Sequence, residues 1–390
     1  GSKLHNHSTT SNTCKAFNMA PTIETSTQAT SLPSSKTGYG ANLKKQPLKY
    51  SGSLDKYDHF EVTPNIGEEF SSVQLSSLLE SDDFETLVRD LAILVAERGV
   101  VFFRNQDIND EQQKKLGELL GHLTGKPKES GLHVHPTEAP SSETGQEVLI
   151  LQPDQGVLNQ KFLQTSTRAA KNWHTDITFE KVPSDYAILK IIKKPSSGGG
   201  DTLWASGYAA YEKLSPTYQK ILESLTAHHS GQHFHAVAKQ SGHGIVTTPR
   251  GHPLNSGDDL YADHPIIRTN PVTGWKSLYV NPIFTESING LGWDESRSIL
   301  DFLNQNLKEN HDIHVRFRWN DNDVAIWDNR STYHTATYDY STTDRLGHRV
   351  LSCGEVPYLD ENSISRTEAL KADLEAADAT ASKLSQLNVN

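Results

Sequence analysis

The feature that most constrains this chain is its punctuation. Beyond two helical segments near the start it breaks into short apolar runs bounded by turn-forming residues, at 100–103, 148–151, 186–192, 277–280, 314–319, 324–327 and 349–352. Runs of this length between Gly, Pro, Asn and Asp read as strands, and strands must pair into sheets. The segment 84–98 behaves differently: Leu87, Leu91, Leu94 and Val95 recur at helical spacing, and Gly99 follows as a C-terminal stop. A second helix, 109–123, opens on Asn109-Asp110 and aligns Leu116, Leu119, Leu120 and Leu123. Two further helices, at 208–227 and 294–307, are expected to interrupt the strands. Helices at the start and in inserts, with strands between, favour a mainly β fold with flanking helices, a β-sandwich or jelly-roll barrel, over a doubly wound sheet. There is no internal repeat.

Only 35% of the 390 residues are hydrophobic and the mean hydropathy is −0.58, so polar segments dilute a globular body. Residues 1–40 hold 15 Ser or Thr, and a disordered tail is expected over 1–50. Met19 is the only methionine, and Met19-Ala-Pro-Thr22 reads as a translation start, which makes 1–18 a cloning scar or translated leader. The absence of arginine before Arg89 argues against a transit peptide. The catalytic body is expected over 56–360, and 361–390 as a polar, Ala-rich helix with a frayed end. No apolar run of about 18 residues is present to cross a membrane. Cys14 and Cys353 cannot build a disulfide framework, so a reducing compartment, the cytoplasm, is expected. Lys and Arg number 37 against 48 Asp and Glu, a formal charge of −11 that opposes a nucleic-acid partner. Residues 1–50 carry six Lys and one Glu, so 51–390 stands at −16. A small anionic ligand is still compatible with this field, because a local arginine pair can oppose it.

With 18 histidines in the chain, strand context beside a carboxylate decides which could act together. His174-Thr-Asp176 has it: two residues apart in an extended segment, both side chains point to one side and can converge on one ion. A third ligand completing a two-His, one-carboxylate face would leave three open positions, as suits non-haem Fe(II) oxygenases. Alone, such a pair is more often a structural coincidence. His59-Phe-Glu61 has similar spacing but reads as plain surface. His233-Phe-His235, near His228 and His229, imitates a metal pair, yet no Glu follows to complete it, and a solvated helix end with a histidine-rich loop fits better. Gly198-Gly-Gly200 lacks the Lys-Ser/Thr of a phosphate loop and reads as a tight turn. Farther on, a buried strand at 324–327 runs through Asp328-Asn-Arg-Ser-Thr-Tyr to His334, with Arg345 and Arg349 behind it. Four residues apart, the arginines share a side on helix or strand, and guanidinium groups suit carboxylates and sulfonates.

Trp173-His-Thr-Asp-Ile-Thr-Phe179, Ser197-Gly-Gly-Gly-Asp-Thr-Leu-Trp204 and Ala325-Ile-Trp-Asp-Asn-Arg330 with His334, Arg345 and Arg349 together resemble the taurine dioxygenase family of Fe(II)- and 2-oxoglutarate-dependent oxygenases, in unbroken order from about Gly99 to Pro357. The resemblance implies a double-stranded β-helix core, and Fe(II) bound by His174, Asp176 and His334. It implies that Thr202 and Arg345 hold the distal carboxylate of 2-oxoglutarate. Arg349 and His135 then match residues on the anionic head of the primary substrate, and Phe284 an aromatic wall of that pocket. Dioxygen is the second cosubstrate, and succinate and carbon dioxide are products. Trp173, Trp204 and Trp327 are expected to pack around the site without binding ligands.

Departures from the pattern bear on the substrate. Ala170 stands where bacterial taurine enzymes place Asn, Glu138 where they place Tyr, and the stretch 137–168 is longer and would form a lid. Taurine itself is thereby disfavoured. The expected activity is hydroxylation of a small anionic substrate, first an alkyl sulfonate with carbon–sulfur cleavage. Oxidation, desaturation or ring closure of an amino-acid derivative is the alternative, and a metal-binding module without turnover a remote one. The family likeness also implies a dimer or tetramer.

Overall fold

The computed structural model describes residues 47–138, 144–153, 169–240, 242 and 244–387, with side chains through 381. Most of the expected tail, and 139–143 and 154–168 of the expected lid, lie outside the described residues. By its internal contacts the chain divides into Gly1–Lys44 and Lys45–Asn390, and the second unit is the one described below.

Along it come β1 (His59–Glu61), β2 (Glu68–Phe70), α1 (Leu75–Glu80), α2 (Phe84–Arg98), β3 (Val100–Phe103), α3 (Asp110–Leu123), β4 (Val148–Leu151), β5 (Ser184–Lys193), β6 (Thr202–Ser206), α4 (Gly207–Glu212), α5 (Pro216–Glu223), β7 (Thr226–Ser230) and α6 (His233–Gln240). There follow β8 (Tyr261–Pro265), β9 (Ile267–Thr269), β10 (Lys276–Leu278), β11 (Thr285–Ile288), α7 (Trp293–Glu309), β12 (His314–Phe317), β13 (Asp323–Asp328), β14 (Thr332–Ala336), β15 (Leu346–Cys353) and α8 (Arg366–Leu387). A seven-stranded sheet has the order β1-β2-β3-β13-β5-β15-β4, and a three-stranded sheet the order β12-β6-β14. β11-β7-β8 and β9-β10 form smaller sheets. Among the described strands, β2 with β3 is the only parallel pair.

Alternation along the strands explains why the central ones are apolar throughout. Val101, Phe103, Tyr186, Ile188, Val324 and Ile326 share a core cluster with Leu87, Leu91, Val95, Leu116 and Leu120, so α2 and α3 cover one face of the large sheet. The intervening residues Val100, Phe102, Ala187, Leu189, Ala325 and Trp327 share another with Trp204, Val315 and Phe317 of the small sheet. The sheet is thus buried on both sides. Asn109 caps α3 as expected, its side chain accepting from the Gln112 N–H while Gln112 reaches back. Gly99 takes φ 76° behind α2, and a Cβ there would lie 3.2 Å from Ile66 and from Thr332.

Several expectations are corrected. The helix expected at 208–227 is two helices and a strand, because Ser215 caps a new helix with Pro216 at its first position. The run at 277–280 pairs only over Lys276–Leu278. His59–Glu61, expected as plain surface and largely exposed, also pairs as an edge strand on β2, with His59 Nδ1 2.6 Å from Glu68 Oε1. Packing extends ahead of residue 56: Leu54 is buried, and the Leu48 N–H donates to Val272 O at 2.8 Å. The last helix begins at Arg366. Among the described residues no helix is long and apolar enough to cross a membrane.

Candidate active site

Register brings the site together. His334 on β14 pairs with Trp204 on β6, and Arg349 on β15 with Leu189 on β5. Trp204 and Leu189 belong to the cluster between the two sheets, so His334 and Arg349 both face that interior. The segment bearing His174 joins the edge of β14 by two main-chain bonds, His174 N–H to His334 O at 3.0 Å and His334 N–H to His174 O at 2.8 Å. The imidazole rings then lie 4.2 Å apart by centroid. Asp176 Oδ1 is 3.6 Å from His174 Nε2, and its Oδ2 is 3.8 Å from His334 Nε2.

The three side chains offer one ligand atom each, all within 4.8 Å of one another, and among the described residues no other such group occurs. His174 Nδ1 donates to Asn172 O at 2.8 Å, which leaves Nε2 bare on the Asp176 side. Asp176 Oδ2 is buried without a hydrogen-bond partner. Two imidazoles and one carboxylate with such an orphan atom fit a single Fe(II) ion. Burial alone would raise the Asp176 carboxyl, but Arg349, His334 and His174 outweigh it and hold the group well below the usual carboxylate range. Burial, reinforced by His174, pushes His334 down to about 3, so it is neutral at physiological pH, as metal ligation requires.

Thr202 opens β6 and is buried, its hydroxyl accepting from Trp319 Nε1 at 3.0 Å. Two residues earlier Gly200 has φ 74°, and a Cβ on it would come within 3.1 Å of Pro195 and 3.4 Å of Arg345 Nε. The positive φ and the close approach of Pro195 are what call for glycine at this turn beside Arg345. Arg345 is only 7% exposed, its guanidinium stands 6.0 Å from the Tyr340 ring, and it pairs with no carboxylate among the described residues. Burial lowers its pKa. Arg349, expected at the head of the substrate, donates from its Nη1 to Asp176 Oδ1 at 2.9 Å, and its Nε is buried without a partner.

Phe284 presents its edge to His174 at 6.2 Å and stacks on His233 at 5.8 Å. His135 Nδ1 lies 2.8 Å from Thr137 Oγ1, and its ring meets Phe234 at 4.9 Å. Burial and the neighbouring His133 and Arg349 lower His135 to about 3. His233 opens α6 and is exposed, the solvated helix end expected from sequence, while the half-buried Phe234 lies against His135 and Phe284. Ala170 packs with the cluster around Trp173 and Tyr333, and Trp173, Trp204 and Trp327 are buried as expected.

Residues 58–351 match the family model described as "Taurine catabolism dioxygenase TauD, TfdA family". The chain belongs to this family. Its relatives within the TauD/TfdA family include alpha-ketoglutarate-dependent dioxygenase btcD of Neocamarosporium betae, 45% identical over 84% of this chain and 99% of the relative. An alpha-ketoglutarate-dependent sulfonate dioxygenase of Saccharomyces cerevisiae is 33% identical over 77% of this chain and 68% of the relative. Among solved structures, a taurine dioxygenase from Burkholderia xenovorans superposes with a TM-score of 0.57 at 27% identity, covering 78% of this chain and 92% of that one. As a TauD/TfdA member the protein is a 2-oxoglutarate-dependent dioxygenase using Fe(II), 2-oxoglutarate and dioxygen.

Proposed function

We propose that this dioxygenase oxidises a carbon of a small anionic substrate, with an alkyl sulfonate as the first candidate. The observation that carries the reading is the arginine pair: within a body of net charge −16, Arg345 and Arg349 are buried or nearly so, and Arg345 has no carboxylate partner among the described residues. A buried guanidinium without an anion is costly, so its place calls for one. The sulfonate enzyme of yeast, 33% identical, supports the choice of head group.

In this reading His174, Asp176 and His334 hold Fe(II), which when bound supplies activation of dioxygen and oxidising power. Arg345 and Thr202 hold the distal carboxylate of 2-oxoglutarate; the Thr202 oxygen accepts from Trp319 and keeps its own proton to donate. Arg349 steadies Asp176 and attracts the head of the substrate, His135 joins it as a neutral donor or acceptor, and Phe284 bounds the carbon chain. The protein binds, orients and excludes water, without a general base of its own. For a sulfonate RCH2SO3⁻, 2-oxoglutarate and O2 are consumed, and RCHO, bisulfite, succinate and CO2 are formed. The seven- and three-stranded sheets are taken as the two sides of a double-stranded β-helix, and 56–360 with the packed residues 47–55 as the catalytic domain.

Incubation of the Fe(II)-loaded protein with 2-oxoglutarate and a panel of alkyl sulfonates, amino acids and aryloxy acids, scored by succinate and product mass, tests this. A sulfonate should raise succinate release and yield bisulfite; stimulation by the amino acids or aryloxy acids alone would contradict the sulfonate assignment, and no stimulation by any acid of the panel would contradict the anionic-substrate reading.

A further inference from the structure

The carboxylate ligand stands on an unusual piece of backbone. Ile177, directly after Asp176, has φ 50°, a left-handed conformation that β-branched residues rarely adopt. Its side chain is 2% exposed in the core between the sheets, and the Glu180 N–H closes a turn onto Ile177 O at 3.0 Å. Such strain persists only where the surroundings over-determine the conformation. The surrounding group here is Asn329. Its Oδ1 accepts from the Asp176 N–H at 3.0 Å, and its Nδ2 donates to Asp176 O at 2.9 Å, so one amide satisfies both main-chain groups of the ligand.

Asn329 is itself immobilised. It is fully buried, and its N–H donates to Asp185 O at 2.7 Å. On either side of it Asp328 and Arg330 form a buried pair, Nε to Oδ1 at 2.9 Å and Nη2 to Oδ2 at 2.7 Å, while Asn270 donates to Asp328 Oδ2 at 2.9 Å. The same turn leads into β14 and His334. A single rigid turn therefore fixes one ligand through the chain and another through a side chain.

We infer that Asn329 is a positioning residue that preforms the metal site, holding Asp176 against its strained neighbour before any ion arrives. The inference rests on the assignment of the metal to His174, Asp176 and His334. It predicts that Asn329→Ala weakens Mn(II) binding about 10–100-fold, the range typical of lost outer-shell partners. The fold supplies a matched control. Asn255 clamps Val182 by the same two bonds, Val182 N–H to Oδ1 at 2.9 Å and Nδ2 to Val182 O at 2.8 Å, away from the ligands.

The experiment is calorimetric titration of the full-length chain with Mn(II) in wild type, Asn329→Ala, Asn255→Ala and His174→Ala, with thermal melting of each metal-free form. The expected result is a comparable melting loss for both Asn variants but weakened Mn(II) binding only for Asn329→Ala. Binding within twofold of wild type in Asn329→Ala, or equal loss in Asn255→Ala, overturns the positioning role. Unchanged binding in His174→Ala overturns instead the metal assignment beneath it. Hydrogen exchange of the wild-type Asp176 amide needs no variant to fold: protection already present without metal and unchanged by Mn(II) is expected, whereas protection appearing only with Mn(II) defeats the inference.

Discussion

At the scale of single residues, the two arginines have separable roles. Arg345 is a buried cation without an acidic partner among the described residues, so the protein without 2-oxoglutarate bears its desolvation uncompensated. Arg345→Met should therefore raise the melting temperature of the free protein while abolishing the rise that 2-oxoglutarate gives the wild type, both read by thermal melting. Arg349 contacts the Asp176 carboxylate at 2.9 Å. Arg349→Met should accordingly lower 2-oxoglutarate turnover without primary substrate by about tenfold or more. A substrate-only role would leave that uncoupled succinate release intact. His174 with Asp176 was legible in sequence because extended backbone places alternate side chains together. Asn329 was not, since its bonds to Asp176 span 153 positions and no local pattern encodes them.

At the scale of elements, one buried ionic node binds three segments around the site. Arg250 donates through Nε and Nη2 to Glu180 at 2.6 and 2.9 Å, and through Nη1 to Val246 O and Gly257 O. Glu180 also accepts from His133 Nε2 at 3.1 Å, joining the ligand turn to the segment that carries His135. Burial would raise the Glu180 carboxyl, but His133 and Arg250 overcome it and hold it low. Arg250→Met leaves that charge with little compensation and should cost about 3–5 kcal/mol. Adding Glu180→Leu should restore a substantial part, as urea denaturation of the two variants would show. The strands legible in sequence were the apolar ones: β3, β4, β5, β13 and β15 of the large sheet, with β10 and β12 of the smaller sheets. Thr202–Ser206, Thr226–Ser230 and Thr332–Ala336 were hidden because small and polar residues fill them, their pairing being set by distant partners. The break at Ser215-Pro216 carried a readable cap signal that the surrounding apolar spacing masked.

At the scale of the whole molecule, an acidic body surrounds a locally positive interior, and its stability should depend on pH through histidines held neutral. His229 and His264 are buried; burial is the first cause in both, and it depresses His264 to about 4 and His229 well below its ordinary value. Between the unfolded value near 6.5 and about 4 the unfolded chain takes up protons that the folded one does not, so stability falls as pH falls. Together the two should remove about 3 kcal/mol per pH unit in that window. Urea denaturation of the metal-free protein between pH 7 and pH 4 checks the slope, and a flat profile would contradict it. The total charge argued against a nucleic-acid partner but gave no hint of this interior, where register turns His334 on β14 and Arg349 on β15 toward the same space.

The central claim is that His174, Asp176 and His334 form the centre at which 2-oxoglutarate is oxidised. Its most direct test is succinate formation by metal-depleted protein on adding Fe(II) under air, wild type beside Asp176→Ala. Fe(II)-dependent succinate in the wild type and none above background in Asp176→Ala is the predicted result; equal succinate from both would place the chemistry elsewhere.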